Sequence, residues 1–309
     1  MKKYSIPQMK LGTTSFIIPA NYVEGFRFAA ERCDDVSLLL VALGDNAEYL
    51  ISPDDVRAVR DIAEGEGVSV NIHLPADHGY DTLKETRAMV DDVARVIERT
   101  AILSPHAFVL HVHFPALENL MLGANPQGLQ VTHEQQCYIH EALRDMAALL
   151  PGPEYLAIEN LETFPPTLWD EWLNGTPYSR CIDVGHFWKD GWDPSRFLES
   201  WLPRTRIIHF HGMESRLGKP VPEAVAARTL PMTGLRKKLA DMFSTWPKDH
   251  KSLKYMPDEC VDTVMHTLWR TGYDKVLNLE MFHIDDFTAS HAVIMRSWER
   301  YEAWREIYG

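Results

Sequence analysis

Short runs of β-branched and aliphatic residues recur along the chain, separated by longer segments that alternate between apolar and polar positions. Eight of these runs have the length and composition of strands. They span residues 11–18, 36–43, 68–74, 107–113, 155–160, 179–183, 206–211 and 276–280. The pattern therefore predicts eight strands distributed over the whole chain.

The segments between the runs carry helix signals. Helix starts are predicted at Ser52-Pro53, Thr82-x-x-Glu85, Thr132-x-x-Gln135 and Asp193-Pro194. Apolar stripes at helical spacing comprise Met89, Val93 and Val96; Ile139, Leu143, Met146 and Leu150; and Ile294, Trp298 and Tyr301. We expect these faces to pack on a sheet, so strands and helices alternate throughout.

Eight strands alternating with helices in 309 residues favour an α/β fold, a closed (β/α)8 TIM barrel, over an open doubly wound sheet. No repeat, low-complexity tract or linker divides the chain, so residues 1–309 are predicted to form a single domain. The connection from Gly212 to about Pro257 is unusually long, and it predicts an insertion after the seventh strand that covers the barrel mouth.

Composition excludes several classes of partner. The net charge of −13 repels a polyanion, so extended nucleic acid is not expected to bind. The apolar run 36–43 is too short to span a bilayer, and Lys10 interrupts any signal-like core, so no membrane association is expected and a cytoplasmic location is predicted. Neither a disulfide scaffold nor a thiolate zinc site is indicated by the widely separated cysteines Cys33, Cys137, Cys181 and Cys260.

Metal-binding residue types stand at or just beyond the ends of six predicted strands. In R206-I-I-H-F-H-G-M213, two histidines separated by one residue point to the same side of a strand. The full set is His73, His111, His113, Glu159, Asp183, His186, His209, His211 and Glu280. Because the carboxyl ends of barrel strands surround one site, these side chains are expected to converge.

Such a gathering predicts metal binding. One imidazole at a strand end is often a hydrogen-bonded core residue, and this reading stays open for His113. Histidines and carboxylates buried together without a cation would have too few partners. Imidazole and carboxylate ligands without thiolate indicate divalent zinc, manganese or iron. One catalytic zinc needs about three protein ligands, whereas this set could fill two sites or more, so the number of ions stays open.

These positions resemble the xylose isomerase-like barrels, which include AP endonuclease family 2 and the sugar isomerases and epimerases. The resemblance covers essentially the whole chain. It implies a ligand set of His73, His111, Glu159, Asp183 and His186 in D183-V-G-H186, one of His209 and His211, Asp249 and His250 in K248-D-H-K-S-L253, and Glu280. For Asp249, a charged surface turn is an equal alternative.

A narrower resemblance, to the cobamide-remodelling phosphodiesterases, is carried by the motifs L11-G-T-T-S-F-I-I-P-A20, I72-H-L-P75, H209-F-H-G212 and L279-E-M-F282 together with the two above. It implies a metal-dependent hydrolase that cleaves the nucleotide-loop phosphodiester of a corrinoid to cobinamide phosphate and an α-riboside. In this hypothesis Glu159 and Glu280 anchor or bridge metals, and Arg216 and Lys219 meet a substrate anion. His113 either contacts phosphate or supports a metal ligand from behind.

Three alternatives remain. A sugar isomerase or epimerase would use one metal held by Glu159, Asp183, a seventh-strand histidine and Glu280, and the surplus histidines argue against it. An AP endonuclease would use the same ligands but must dock on DNA against the charge of −13. A corrinoid-binding module would bind without hydrolysis.

Overall fold

The structure, a computed structural model, describes residues 3–40, 50–76, 78–114, 131–162, 164, 166–219 and 246–308, except for the side chains of residues 167, 171, 215–219, 246, 247 and 308. Eight parallel strands close into a barrel in the order β1-β10-β7-β6-β5-β4-β3-β2. The predicted (β/α)8 TIM barrel is therefore confirmed.

Elements are numbered in chain order within the described residues. The strands are β1 Lys10–Thr14, β2 Asp35–Leu39, β3 Ser69–His73, β4 Ala107–His111, β5 Leu156–Glu159, β6 Ser179–Asp183, β7 Thr205–His209, β8 Gly212–Lys219, β9 Trp246–Lys251 and β10 Val276–Leu279. The helices are α1 Tyr22–Ala30, α2 Pro53–Glu66, α3 Leu83–Thr100, α4 His133–Ala147, α5 Thr167–Leu173, α6 Val184–Lys189, α7 Ser195–Trp201, α8 Asp258–Thr271 and α9 Ile284–Tyr308. Short 3-10 turns span Ala101–Leu103, Pro153–Tyr155, Leu202–Arg204 and Leu253–Tyr255.

The helix starts follow the side-chain caps expected from sequence. The side chains of Ser52 and Thr82 accept hydrogen bonds from the third backbone N–H of α2 and α3. Thr132 and Gln135 form a complete capping box at the start of α4. These caps satisfy backbone groups that helix formation leaves without partners.

Two apolar layers hold the barrel together. The helices bury their stripes on its outside, and Met89, Val93 and Val96 of α3 are fully buried there. A small cluster fills the inside, and it consists of Ala107, Val109, Ala157, Cys181, Ile207 and Val276. Because side chains alternate along each strand, this filling at Val109 and Ile207 places His111 and His209, two residues further on, above it and towards the mouth.

The chain leaves the barrel after β7. β8 and β9 form an antiparallel pair in which Gly212 lies opposite Lys251 and Glu214 opposite Lys248. Arg216 and Lys219 belong to β8, but their side chains lie outside the described part of the structure, so their predicted substrate contacts stay predictions. None of the described helices has both the length and the apolar character needed to cross a membrane.

Candidate active site

Strand register brings the expected side chains to one end of the barrel. His111 of β4 lies opposite Glu159 of β5, and Asp183 of β6 lies opposite His209 of β7. Above them lies a cavity of about 600 Å³. Its walls include His73, His111, His113, Glu159, His186, His250 and Glu280. The predicted convergence at the carboxyl ends of the strands is thus present in the structure.

One set of candidate ligands, the histidine group, consists of His73, His111 and Glu159. Nε2 of His111 lies 3.1 Å from Nε2 of His73 and 3.0 Å from Oε2 of Glu159. His73 Nδ1 is 3.0 Å from the Leu74 carbonyl oxygen, so we assign its proton to Nδ1 and a lone pair to Nε2. A metal-binding histidine is held in this way, with the other ring nitrogen donating to a carbonyl.

A second set, the inner group, consists of Glu159, Asp183, His209 and Glu280, and one ligand atom from each lies within 4.8 Å of the others. His209 Nδ1 is 3.0 Å from Glu159 Oε1 and 3.1 Å from Glu280 Oε2. All four side chains are buried. Glu159 joins the two groups because Oε2 faces the histidine group and Oε1 faces the inner group.

The chemistry of the inner group fits a divalent cation. Three carboxylates share a small buried space with one imidazole, and without a cation their charges would be only partly compensated. Oxygen and imidazole ligands in this number suit zinc or manganese. The structure therefore contains residue groups that can hold a divalent metal.

His211 has a different environment from His209. The backbone N–H of His250 donates to His211 Nδ1 at 3.0 Å, and His211 Nε2 lies 3.2 Å from Asp183 Oδ2. We therefore assign the proton to Nε2, which donates to Asp183, and the 3.3 Å approach of Nδ1 to the Gly212 carbonyl oxygen is a contact only. His211 donates from Nε2 to Asp183 and accepts at Nδ1 from His250, so both ring nitrogens are in use and His209 is the better candidate ligand.

Gly185 explains how the D183-V-G-H186 motif accommodates this ring. A Cβ at residue 185 would lie 2.0 Å from Cε1 of His211. No side chain can fit there while the imidazole keeps its place. The motif thus supplies a carboxylate at Asp183, the space for His211 and an imidazole at His186.

The outer cluster, at the rim of the cavity, consists of Glu162, His186, Lys189 and Asp249. Glu162 Oε2 lies 3.0 Å from His186 Nε2, and Glu162 Oε1 lies 3.1 Å from Lys189 Nζ. Lys189 Nζ also donates to Asp249 Oδ2. The charged-surface-turn alternative for Asp249 is not what the structure shows, because this carboxylate is largely buried against Lys189.

His250 reaches the site on β9. Its backbone lies in the left-handed region at φ +51°, which is uncommon for a residue other than glycine. This conformation coincides with two contacts: its N–H meets His211, and its Nδ1 lies 3.1 Å from the Glu280 carbonyl oxygen. With the Nδ1 proton donated to that carbonyl, Nε2 carries the lone pair.

His113 lines the cavity next to His111, and its Nδ1 is buried without a hydrogen-bond partner among the described residues. Burial, and secondarily the nearby His111, lower the pKa of His113 to about 4. At neutral pH it is therefore uncharged, which suits a hydrogen bond to substrate better than an ion pair with a phosphate.

The two catalytic glutamate candidates are ionised. Burial acts to raise the pKa of Glu159, but the imidazoles of His209 and His111 outweigh it and hold this pKa well below its usual range. Burial likewise opposes ionisation of Glu280, and the His209 imidazole holds its pKa well below its usual range. Both carboxylates are thus available as ligands or proton acceptors.

Three contributors to the site were not predicted from sequence: Asn160, Glu162 and Lys189. The Asn160 side chain bonds the backbone N–H and C=O of Asp183 at 2.9 and 2.8 Å and fixes the end of β6. Spacing could have indicated the other two. Lys189 follows His186 by three residues on one helix, a separation that places side chains on one face, and Glu162 follows the end of β5 by three residues, close to the strand end that carries Glu159.

Comparisons with known proteins show similarity at the level of fold. No model of a known protein family matches the sequence, and no curated protein matches it. A D-tagatose 3-epimerase-like protein superposes with TM-score 0.63 at 15% identity, covering 96% of this chain and 99% of that one. A xylose isomerase domain protein from Planctomyces limnophilus superposes with TM-score 0.62 at 13% identity, covering 98% of this chain and 100% of that one. An L-ribulose 3-epimerase superposes with TM-score 0.60 at 15% identity, covering 97% of each chain. The chain has the fold of the xylose isomerase-like barrels.

These comparisons correct the functional expectation. The three structures named above are described as an epimerase-like protein, a xylose isomerase domain protein and an epimerase, in agreement with the alternative and not with a cobamide phosphodiesterase, so that hypothesis is wrong and the corrinoid substrate loses its support. There is also a physical reason. The surplus of His73, His111, His186 and His250 argued for a hydrolase with several metals. However, both ring nitrogens of His186 already face protein partners, Nδ1 the Asn160 carbonyl oxygen at 2.9 Å and Nε2 the Glu162 carboxylate at 3.0 Å, so a count of histidines overstates the number of ligands.

Proposed function

We propose that the protein is a metal-dependent isomerase or epimerase of a small polyhydroxylated carbonyl compound of the sugar class. The observation that carries the proposal is the inner group: Glu159, Asp183, His209 and Glu280 converge within 4.8 Å beneath a cavity of about 600 Å³. A cavity of this size accommodates a molecule of the size of a monosaccharide. The sugar epimerases that share the fold add support.

In this proposal the inner group holds the essential cation. Three carboxylates and one imidazole suit manganese, with zinc as the other candidate. A bound cation would polarise the carbonyl and hydroxyl oxygens of the substrate and so acidify the carbon-bound proton next to the carbonyl. His211 supports the group by orienting Asp183, since such indirect contacts fix the direction of a ligand.

Proton transfer falls to Glu159 and Glu280. Their carboxylates lie on either side of His209 Nδ1, at 3.0 and 3.1 Å, and both line the cavity. One ionised carboxylate removes the proton next to the carbonyl, giving an enediolate. Return of a proton to the opposite face of the same carbon gives the epimer. Return of a proton to the former carbonyl carbon, with the hydroxyl proton passing to the former carbonyl oxygen, gives the isomer.

The histidine group has a supporting role in this proposal. His73 and His111 share Glu159 with the inner group and can hold a second cation beside it. The neutral ring of His113 contacts a substrate hydroxyl. The proposal requires only the inner ion for chemistry, so loss of His73 and His111 should leave one ion bound.

The cavity walls agree with an uncharged substrate. Phe16, Leu39, Leu161, Phe164 and Phe282 supply apolar surface around the carboxylates and imidazoles. Rings such as Phe282, which is 48% exposed, can pack against the C–H face of a sugar while its hydroxyls meet the polar floor.

Proton exchange with solvent provides the test. The protein loaded with Mn²⁺ is incubated in D2O with D-tagatose, L-ribulose and other free ketoses, and NMR follows deuterium at the carbon next to the carbonyl and the appearance of the epimer. We expect exchange and epimer formation, and a loss of at least about 100-fold in Glu280→Gln, since a positioned general base contributes on that order. Failure of every ketose to exchange with the loaded protein would remove the proposal.

The exchange assay needs a matched control for loss of charge. Glu259→Gln changes an exposed carboxylate at the start of α8 and should leave the exchange rate unchanged. Equal losses in Glu259→Gln and Glu280→Gln would show that the effect is not specific to the inner group.

A further inference from the structure

The outer cluster combines two carboxylates, an imidazole and an ammonium group at the edge of the cavity. Lys189 Nζ lies 3.1 Å from Glu162 Oε1 and also donates to Asp249 Oδ2. The Lys189 side chain is 11% exposed, and those of Glu162 and Asp249 are 28% and 18% exposed. The cluster is therefore largely shielded from water. Charges interact more strongly in such an environment than they do in water.

Without the ammonium group, the same place would be a candidate metal site. Glu162, His186 and Asp249 each offer one ligand atom within 4.8 Å of the others. His186 Nδ1 lies 2.9 Å from the Asn160 carbonyl oxygen and donates to it, and Nε2 donates to Glu162 Oε2 at 3.0 Å. An ion in this place would take the position of the Nε2 proton, and Nε2 would then be the ligand atom. Two carboxylates and an imidazole so arranged are a suitable set for a divalent ion.

Lys189 comes from α6, Glu162 follows β5, and Asp249 lies on β9. The ammonium group thus bonds to carboxylates from two other parts of the chain. It already supplies positive charge to both, and a divalent cation placed in the same space would be repelled by it and would have to displace it from the carboxylates.

We propose that Lys189 takes the place of a cation in the outer cluster and confines metal binding to the inner group and the histidine group. Lys189 is then a positioning residue that sets the number of ions at the barrel mouth. The inference rests on the proposed function only in that the other two groups are taken to hold metal.

Metal content measures this directly. Wild type, Lys189→Met, Lys189→Arg and the control Lys254→Met are equilibrated with excess Mn²⁺, freed of unbound ion and analysed by elemental mass spectrometry. Met has a similar length without the charge, Arg keeps the charge, and Lys254 is an exposed lysine on a 3-10 turn. We expect one additional ion per chain in Lys189→Met and wild-type content in the other two.

Equal or lower metal content in a folded Lys189→Met would overturn the inference. If that variant does not fold, anomalous scattering at the manganese edge from wild-type crystals decides the question. An ion bound by Glu162, His186 and Asp249 in the wild type contradicts the inference, and no anomalous peak there, with ions at the inner group, supports it.

The same data separate this inference from the proposed function. A wild type that binds no Mn²⁺ at all removes the proposed metal-dependent function. In that case Lys189→Met still tests the role of Lys189, because a gain of one ion supports the inference and no gain contradicts it.

Discussion

The imidazole of His211 lies where a side chain on Gly185 would have to be. A Cβ at residue 185 would approach the ring to between 2.0 and 2.4 Å, whereas the glycine lets the ring pack against the backbone of α6 and reach Asp183. The position of the Asp183 carboxylate therefore depends on residue 185 being a glycine.

Gly185→Ala should displace His211 and release Asp183 from its hydrogen bond. Loss of a residue that orients a metal ligand typically weakens binding by about 10–100-fold, so we expect the Kd for Mn²⁺ to rise by that factor in a calorimetric titration. Gly65→Ala is the matched control, because a Cβ at this position of α2 would have no atom of the described residues within 4 Å. An unchanged Kd in Gly185→Ala would show that the position of His211 is unimportant for the ion.

His209 and His211 should respond differently to replacement. His209→Ala removes a nitrogen that faces both glutamates, so we expect one ion fewer per chain. His211→Ala removes the donor to Asp183 and the acceptor of the His250 N–H but no atom of the inner group, so the number of ions should be kept and the affinity should fall. Elemental analysis and calorimetry measure the two quantities, and the reverse pattern would mean that His211 is the ligand.

Metal removal should lower thermal stability. The inner group places the carboxylates of Glu159, Asp183 and Glu280 close together in a buried space, and an ion bound only by the folded state stabilises it. At 100 times its Kd a ligand adds about 2.7 kcal/mol, which corresponds to roughly 5 °C in Tm for a chain of this size.

Scanning fluorimetry with and without a chelator checks this shift. Restoring Mn²⁺ should restore the Tm, and Glu280→Gln should show a smaller change. A chelator that leaves the wild-type Tm unaltered would indicate that no ion is held there.

Asp35, at the start of β2, should make the protein less stable as pH rises. Burial raises the pKa of Asp35 to about 7, against the opposing hydrogen bonds from Ser69 and Asn71. Because its folded pKa lies above its unfolded value of 3.8, the folded state keeps a proton that the unfolded state releases. Stability therefore falls between about pH 4 and pH 7, by an amount on the order of 4 kcal/mol for this group.

Asp35→Asn should remove that slope, because the amide can accept from Asn71 and donate to Ser69 without ionising. Urea unfolding between pH 5 and pH 8 gives the free energy of unfolding for both proteins. The exposed Asp61→Asn serves as control and should keep the wild-type slope. Parallel profiles for wild type and Asp35→Asn would contradict the prediction.

The barrel and the convergence of ligands could be predicted from sequence because both follow from short-range rules. Alternation along β4 puts Val109 inside and His111 above it, and the closed barrel brings six strand ends to one mouth. His209 and His211 could not be told apart, because both face the same side of the chain. Their roles are separated by the backbone N–H of His250, 39 residues further on.

The function was harder to predict, because a histidine's residue type does not reveal how its ring nitrogens are used. Counting imidazoles favoured a hydrolase with several metals, whereas both ring nitrogens of His186, one of the surplus histidines, face protein partners. Lys189 was missed for the opposite reason. A lysine in a short helix is usually solvated, and only the fold places Glu162 and Asp249 beside it.

Asp249 and His250 reach the mouth on β9, which pairs with β8 and not with the barrel strands. This part of the rim is thus carried by the β8–β9 pair, whereas the floor of the pocket is formed by the barrel strands. Changes in that pair that keep the His250 N–H on His211 can alter which molecules are admitted while the eight-stranded framework and its ion-binding floor stay the same. For redesign of selectivity, β8 and β9 are accordingly the first segments to vary.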